Sequence, residues 1–143
     1  MLEASINFES EDINLELTNY QQISEWIKQV IHMHNYQLGE LTFIFCSDEY
    51  LHKINLEYLD HDTYTDIITF DNADEDGTIE GDIFVSVERV KENAAELKIP
   101  FEDELHRVLI HGVLHLLGHD DTTPELKAAM RKEEDKCLSL RSF

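Results

Sequence analysis

Four of the eight histidines, His106, His111, His115 and His119, fall within fourteen residues. His111 and His115 are four apart, so on an α-helix they stand about 40° apart around the axis, one turn above the other. Two imidazoles on one face can aim a nitrogen at a single ion, the spacing of zinc-binding helices. Their neighbours Leu105, Val108, Leu109, Ile110, Val113, Leu114, Leu116 and Leu117 are apolar. The helix is therefore expected to be buried, where unpaired imidazoles are costly. A metal ion or a hydrogen-bonded histidine pair would each remove that cost. Gly118 permits the left-handed turn that ends a helix. The segment His119-Asp120-Asp121 can then fold back to supply a third ligand, leaving one position open, the layout of catalytic zinc.

The elements that must position these residues follow from periodicity. Ile6 and Phe8 alternate with polar residues, and so do Ile13, Leu15 and Leu17, the mark of half-buried strands. Over 21–35, Ile23, Trp26, Ile27, Val30 and Ile31 recur at helical spacing, with Gly39 as the stop signal. A strand is expected at 41–46, then a helix capped by Ser47 or Asp48 and carrying Leu51, Ile54 and Leu59. Further strands are expected at 65–70 and 82–86, joined by the acidic turn 71–77. Helices follow at 87–97, stopped by Pro100, and at 103–117. The last, at 124–140, has Thr123 as cap and Pro124 at its first position. The expected fold is α+β, a small mixed sheet packed with helices, with the metal site on a buried central helix.

The 143 residues suit one domain, 1–143. Cys46 and Cys137 lie far apart and read as buried free thiols of a reducing compartment, hence a cytoplasmic protein. No apolar run approaches a membrane span, and the first residues lack a signal-peptide pattern. Net charge is −20, unevenly spread. Residues 1–88 carry twenty acids against Lys28 and Lys53, a balance of −18, whereas 89–143 balance at −2. Such a field repels free polyanions, so composition argues against nucleic acid, DNA included. RNA binding would have to use local bases, among them Arg89, Lys91 and those of the final helix, or a bound cation.

The segment His111-Gly-Val-Leu-His-Leu-Leu-Gly-His-Asp-Asp121 resembles the H-G-x-L-H-L-x-G-x-D-H signature of the YbeY family, bacterial endoribonucleases of ribosomal RNA maturation. Asn55-Leu-Glu-Tyr58, Asp62 to Phe70, Gly81-Asp-Ile83 and the Met130/Glu134 pair resemble further family segments in order and spacing, over roughly 40–140. The resemblance implies an α+β metalloprotein with one Zn2+ per chain. It implies cleavage of single-stranded RNA in maturation of the 16S rRNA 3′ end and in late ribosome quality control. Implied partners are ribosomal RNA, the ribosomal subunit and assembly proteins. By this alignment of motifs the metal ligands are His111, His115 and Asp121, a carboxylate standing where the family has its third histidine. His119 competes for that role.

The family commonly has an arginine after the tyrosine of its N-x-x-Y segment; here that residue is Leu59. Losing that RNA contact, together with the charge, favours the alternative of a non-catalytic zinc-bearing assembly factor that binds ribosomal or GTPase partners. Two family prolines are Tyr64 and Asp71 here, a local turn variation. Gly112 stands where zincin peptidases carry their general-base glutamate, so peptidase chemistry lacks its proton acceptor. The glycine reads instead as a site of close packing. Glu104 reads as a solvated first-turn acid favoured by the helix dipole. Asp66 can orient a ligand histidine or cap a turn, and Asp120 can bond the turn backbone. His32, His34, His52 and His61 are scattered and carry no expected role.

Overall fold

The alternation of Leu41, Phe43 and Phe45 against Ile44 and Cys46 requires a strand buried on both faces, and that strand organises the sheet. The computed structural model describes residues 5–15, 17 and 19–143. The chain runs β1 (Ser5–Ser10), α1 (Tyr20–Met33), β2 (Gln37–Cys46), α2 (Asp48–Leu59) and β3 (Ile67–Asp71). It continues through β4 (Thr78–Ser86), α3 (Val87–Leu97), α4 (Phe101–Leu116) and α5 (Pro124–Leu138). The sheet order is β1-β2-β4-β3, with β1, β2 and β4 parallel and β3 antiparallel to β4. The architecture is α+β with a mixed sheet.

The larger core joins one face of β2 and β4, including Ile79, Ile83 and Val85, to α1, α3, α4 and α5. A smaller core on the other face packs Cys46 and Ile68 against Leu51 and Ile54 of α2. Fully burying each such aliphatic side chain contributes about 1.5–3 kcal/mol. Trp26 of α1 donates its indole N–H to the Cys137 carbonyl of α5 at 2.8 Å. Both cysteines are free and buried. Ser47 and Thr123 cap α2 and α5, accepting from the amides of Tyr50 and Leu126, each at 3.1 Å. Among the described residues no helix is long and apolar enough to cross a membrane.

Three expectations are corrected. Ile13, Leu15 and Leu17 join no strand: they pack half-buried on the core, and the Tyr20 hydroxyl bonds the Leu17 amide and the Leu15 carbonyl. Alternation reports one buried face and says nothing of a ladder partner. Gly39 does not stop α1 but lies within β2; the turn is made by Asn35, at φ 62°. Leu59 is 41% exposed and contributes nothing to the core.

Helix α4 is buried around most of its girth, as its apolar run requires. It meets the sheet at Gly112. A Cβ there would stand 2.7 Å from Cδ1 of Ile67 and 3.0 Å from Cγ2 of Ile83. His106 is buried beside Trp26 and Phe143, and its Nδ1 accepts from Arg141 at 2.7 Å. Burial, reinforced by the Arg141 charge, pushes its pKa from 6.5 down to about 4.

Gly112→Ala regains about 1 kcal/mol of helix propensity but overpacks Ile83, at a cost of about 1–3 kcal/mol. A net loss of about 1 kcal/mol is expected in urea unfolding, whereas an open site would show a gain. His106 contributes stability that is fully present above the unfolded pKa of 6.5 and is lost as pH falls toward about 4. Between pH 7 and 5 the metal-free wild type should lose about 2 kcal/mol more than His106→Gln, which keeps an acceptor without titrating. Equal losses in urea unfolding at the two pH values would contradict this.

Candidate metal centre

The last turns of α4 present His111 and His115 on one face, their rings edge-on with centroids 4.6 Å apart. Gly118, at φ 98°, ends the helix in the left-handed conformation, with its amide bonded to the His115 carbonyl at 3.0 Å. The Asp120 carboxylate then accepts from the amides of Asp121 at 2.7 Å and Thr122 at 3.2 Å. This turn swings Asp121 back over the helix. Its two carboxylate oxygens lie 3.5 Å from Nε2 of His111 and 3.5 Å from Nε2 of His115.

That spacing is long for a hydrogen bond. It matches the edge of a tetrahedron with bonds of about 2.0–2.2 Å, whose corners lie about 3.3–3.6 Å apart. One ligand atom from each of the three residues lies within 4.8 Å of the others, so the group can hold a metal ion. His119 is elsewhere: one residue past the glycine, its ring packs edge-on against His34, the C-cap of α1, at 5.4 Å.

The support of this cluster comes from α5. Nδ1 of His111 donates to Glu134 at 2.6 Å, which turns Nε2 toward Asp121. The other Glu134 oxygen accepts from Arg107 at 2.8 Å, and Arg107 also reaches Asp135 at 2.6 Å. Burial alone would raise the Glu134 pKa, but His111 and Arg107 outweigh it and hold the carboxylate ionised. For His111 burial opposes protonation, and the Glu134 hydrogen bond and charge reverse the balance. The role of Glu134 was missed in the sequence. The available signal was an acid on the stripe Met130, Glu134 and Cys137, whose other members are apolar and buried.

Asp66 makes no hydrogen bond to either histidine among the described residues; its carbonyl accepts from the Ser86 amide at 2.9 Å. Its half-buried side chain lines the cavities on both sides of the cluster. Glu104 is a correction: it is 6% exposed, and its Oε1 has no hydrogen-bond partner among the described residues. Its helix starts at Phe101, and Glu104 is among the residues that helix buries, on the wall of the cavity toward α5. Burial, with Asp66 nearby, raises its pKa. One cavity, about 410 Å3, lies toward α5 and is lined by Glu104, Arg107, Lys127 and Arg131. The other, about 550 Å3, is lined by Asn55, Leu59, His61 and three threonines. His111 and Asp121 border both.

The family model Endoribonuclease YbeY matches residues 5–141. The chain belongs to the YbeY family. Endoribonuclease YbeY of Cytophaga hutchinsonii is 50% identical over 143 residues, all of both chains. That of Amoebophilus asiaticus is 52% identical over 134 residues, 94% of this chain and 91% of the relative. The solution structure of TM1509 from Thermotoga maritima superposes with a TM-score of 0.61 at 26% identity, covering 94% of this chain and 90% of that one. This YbeY chain is thus a member of a family of hydrolytic nucleases.

Removing Glu134 leaves Arg107 and His111 short of their shared acceptor. Breaking a buried pair costs about 3–5 kcal/mol, less here because Arg107 keeps Asp135. Glu134→Ala should lose about 2–3 kcal/mol in metal-free urea unfolding, and Glu134→Gln, which can still accept from Arg107, clearly less.

Proposed function

We propose that the chain, acting as a single domain 1–143, is a zinc-dependent endoribonuclease of single-stranded RNA. Its ligands are His111, His115 and Asp121, with one ion per chain. Its place is in the cytoplasm, in maturation of ribosomal RNA including the 16S 3′ end and in late ribosome quality control. The observation that carries this is the His/His/Asp group at metal-ligand spacing, bordered by cavities on two sides. A divalent ion held there supplies Lewis-acid polarisation of a phosphoryl oxygen and activation of water near neutral pH.

The chain's own residues do the rest. Glu134 fixes the His111 ring so that Nε2 faces the site, the hydrogen bond that metal-ligating histidines generally make. Arg107 keeps Glu134 charged and in place. The Asp120 turn sets the approach of Asp121. Asp121 brings a negative charge where a third imidazole would be neutral, so water at this centre should acidify less than at a three-histidine site. Gly112 argues against a peptidase, because a glutamate there has no room beside Ile67 and Ile83.

A second reading rests on Leu59. It lines the 550 Å3 cavity where the family commonly has an arginine, and no lysine or arginine replaces it there. This favours a zinc-bearing assembly factor that binds ribosomal or GTPase partners without cutting RNA.

Purified protein should carry about one zinc per chain by elemental analysis, and His111→Ala should lose it. Asp121→Ala should weaken zinc binding far more than His119→Ala; the reverse order would move the third ligand to His119. Zinc-loaded protein should cut a single-stranded RNA, and a chelator should stop it. Full zinc occupancy without cleavage, together with capture of a ribosomal protein, would replace the nuclease by the assembly factor.

A further inference from the structure

The two cavities that share His111 and Asp121 differ in charge. The one bordered by Leu59 has neither lysine nor arginine in its wall. The one toward α5 has Arg107, Lys127 and Arg131. Arg107 is already committed, one nitrogen to Glu134 and another to Asp135. Lys127 makes no ion pair among the described residues, and Arg131 has only a 3.9 Å approach to Glu134, an acceptor satisfied by closer donors. The two are four residues apart, so they occupy one face of α5, with Met130 and Glu134.

These cations are not explained by stability. Lys127 sits near the positive end of α5, where a helix prefers acids. Neither residue secures the fold in the way Arg107 does. The carboxylates of the same wall do not cancel them: Glu134 is neutralised by Arg107 and His111, and Asp121 belongs to the metal group. Neither Asp66 nor Glu104 makes an ion pair with Lys127 or Arg131 among the described residues. In a chain of net charge −20, an unpaired lysine and an arginine with no close acid on a concave wall beside a metal group mark where an anion can approach.

We propose that Lys127 and Arg131 form a phosphate subsite that holds the backbone of single-stranded RNA on the α5 side of the metal centre, adjacent to the phosphate that is cut. The subsite takes over the electrostatic work for which Leu59 has no charge. It deepens the nuclease reading and rests on it. Arg89 and Lys91, expected from sequence to contribute, do not line this cavity: Arg89 is paired with Asp48 at 2.7 Å, and Lys91 lies over the Phe101 ring. Lys127 and Arg131 are positioning residues, and their loss should raise KM more than it lowers kcat.

The test uses zinc-loaded full-length protein and a fluorescein-labelled, mixed-sequence, 12-nucleotide single-stranded RNA. Anisotropy across a KCl series is compared for wild type, the double variant Lys127→Gln/Arg131→Gln, and Lys132→Gln/Lys136→Gln. The last removes the same charge from the same helix outside the cavity. The first double variant should bind about tenfold more weakly at low salt, with the log–log salt slope shallower by about 0.7–1.4, one or two phosphate contacts. Its zinc content and melting temperature should match wild type, and the control variant should bind within about twofold of it. If the two double variants behave alike while wild type binds and cuts, the subsite is overturned and the nuclease reading stands. If zinc-loaded wild type neither binds nor cuts this RNA, the nuclease reading falls and the subsite with it.

Discussion

The buried carboxylate of Glu134 is the constraint on which the site depends. It accepts from His111 on α4 at 2.6 Å and from Arg107, one turn earlier on the same helix, at 2.8 Å. A single acid of α5 thus fixes both an imidazole and the helix that carries it. A carboxylate so buried is tolerable only because it has two charged or polar donors. The same pairing makes α4 and α5 one unit, since neither side chain can leave without exposing an unpaired charge. With Nδ1 occupied, His111 can offer only Nε2 to the space where Asp121 and His115 converge.

Close packing supplies the second constraint. Gly112 lets α4 settle onto Ile67 of β3 and Ile83 of β4. Any side chain there would lift the helix and with it the ligand pair. One small residue thereby brings Asp66, at the entry to β3, to the wall of both cavities. The exclusion of a glutamate at this position separates the centre from peptidases that share its histidine spacing.

Electrostatics work locally against a strongly acidic background. Nearly all the excess charge lies in residues 1–88, while nine of the eleven bases lie in residues 89–143. Two of those bases, Arg107 and Arg89, are consumed in holding acids in place. Net charge therefore says little about the site. What matters is which cations border the centre without being committed to a close acid, and Lys127 and Arg131 do so from one face of α5.

Much was legible in the sequence alone. The helical period of 21–35, the strand formers of 41–46 and the cap signals at Ser47 and Thr123 each act within a few residues, so they report local structure directly. The i, i+4 histidines, the glycine turn and the returning Asp121 are likewise local, and the family signature runs through them. The pairing of 13–17 was not legible, because alternation reveals a buried face but not a neighbour. Nor was the fate of Glu104, whose first-turn position suggests solvent although the folded chain buries it. His119 and Asp121 are equally near in sequence; only the Asp120 turn decides which faces the pair. Glu134 is twenty-three residues from the imidazole it holds. Sequence pointed to His111, His115 and Asp121 and to the helix that carries two of them. Tertiary structure alone brought Asp121 over the histidine pair and set Glu134 behind His111, because both arise from contacts between segments whose separation along the chain carries no periodic signal.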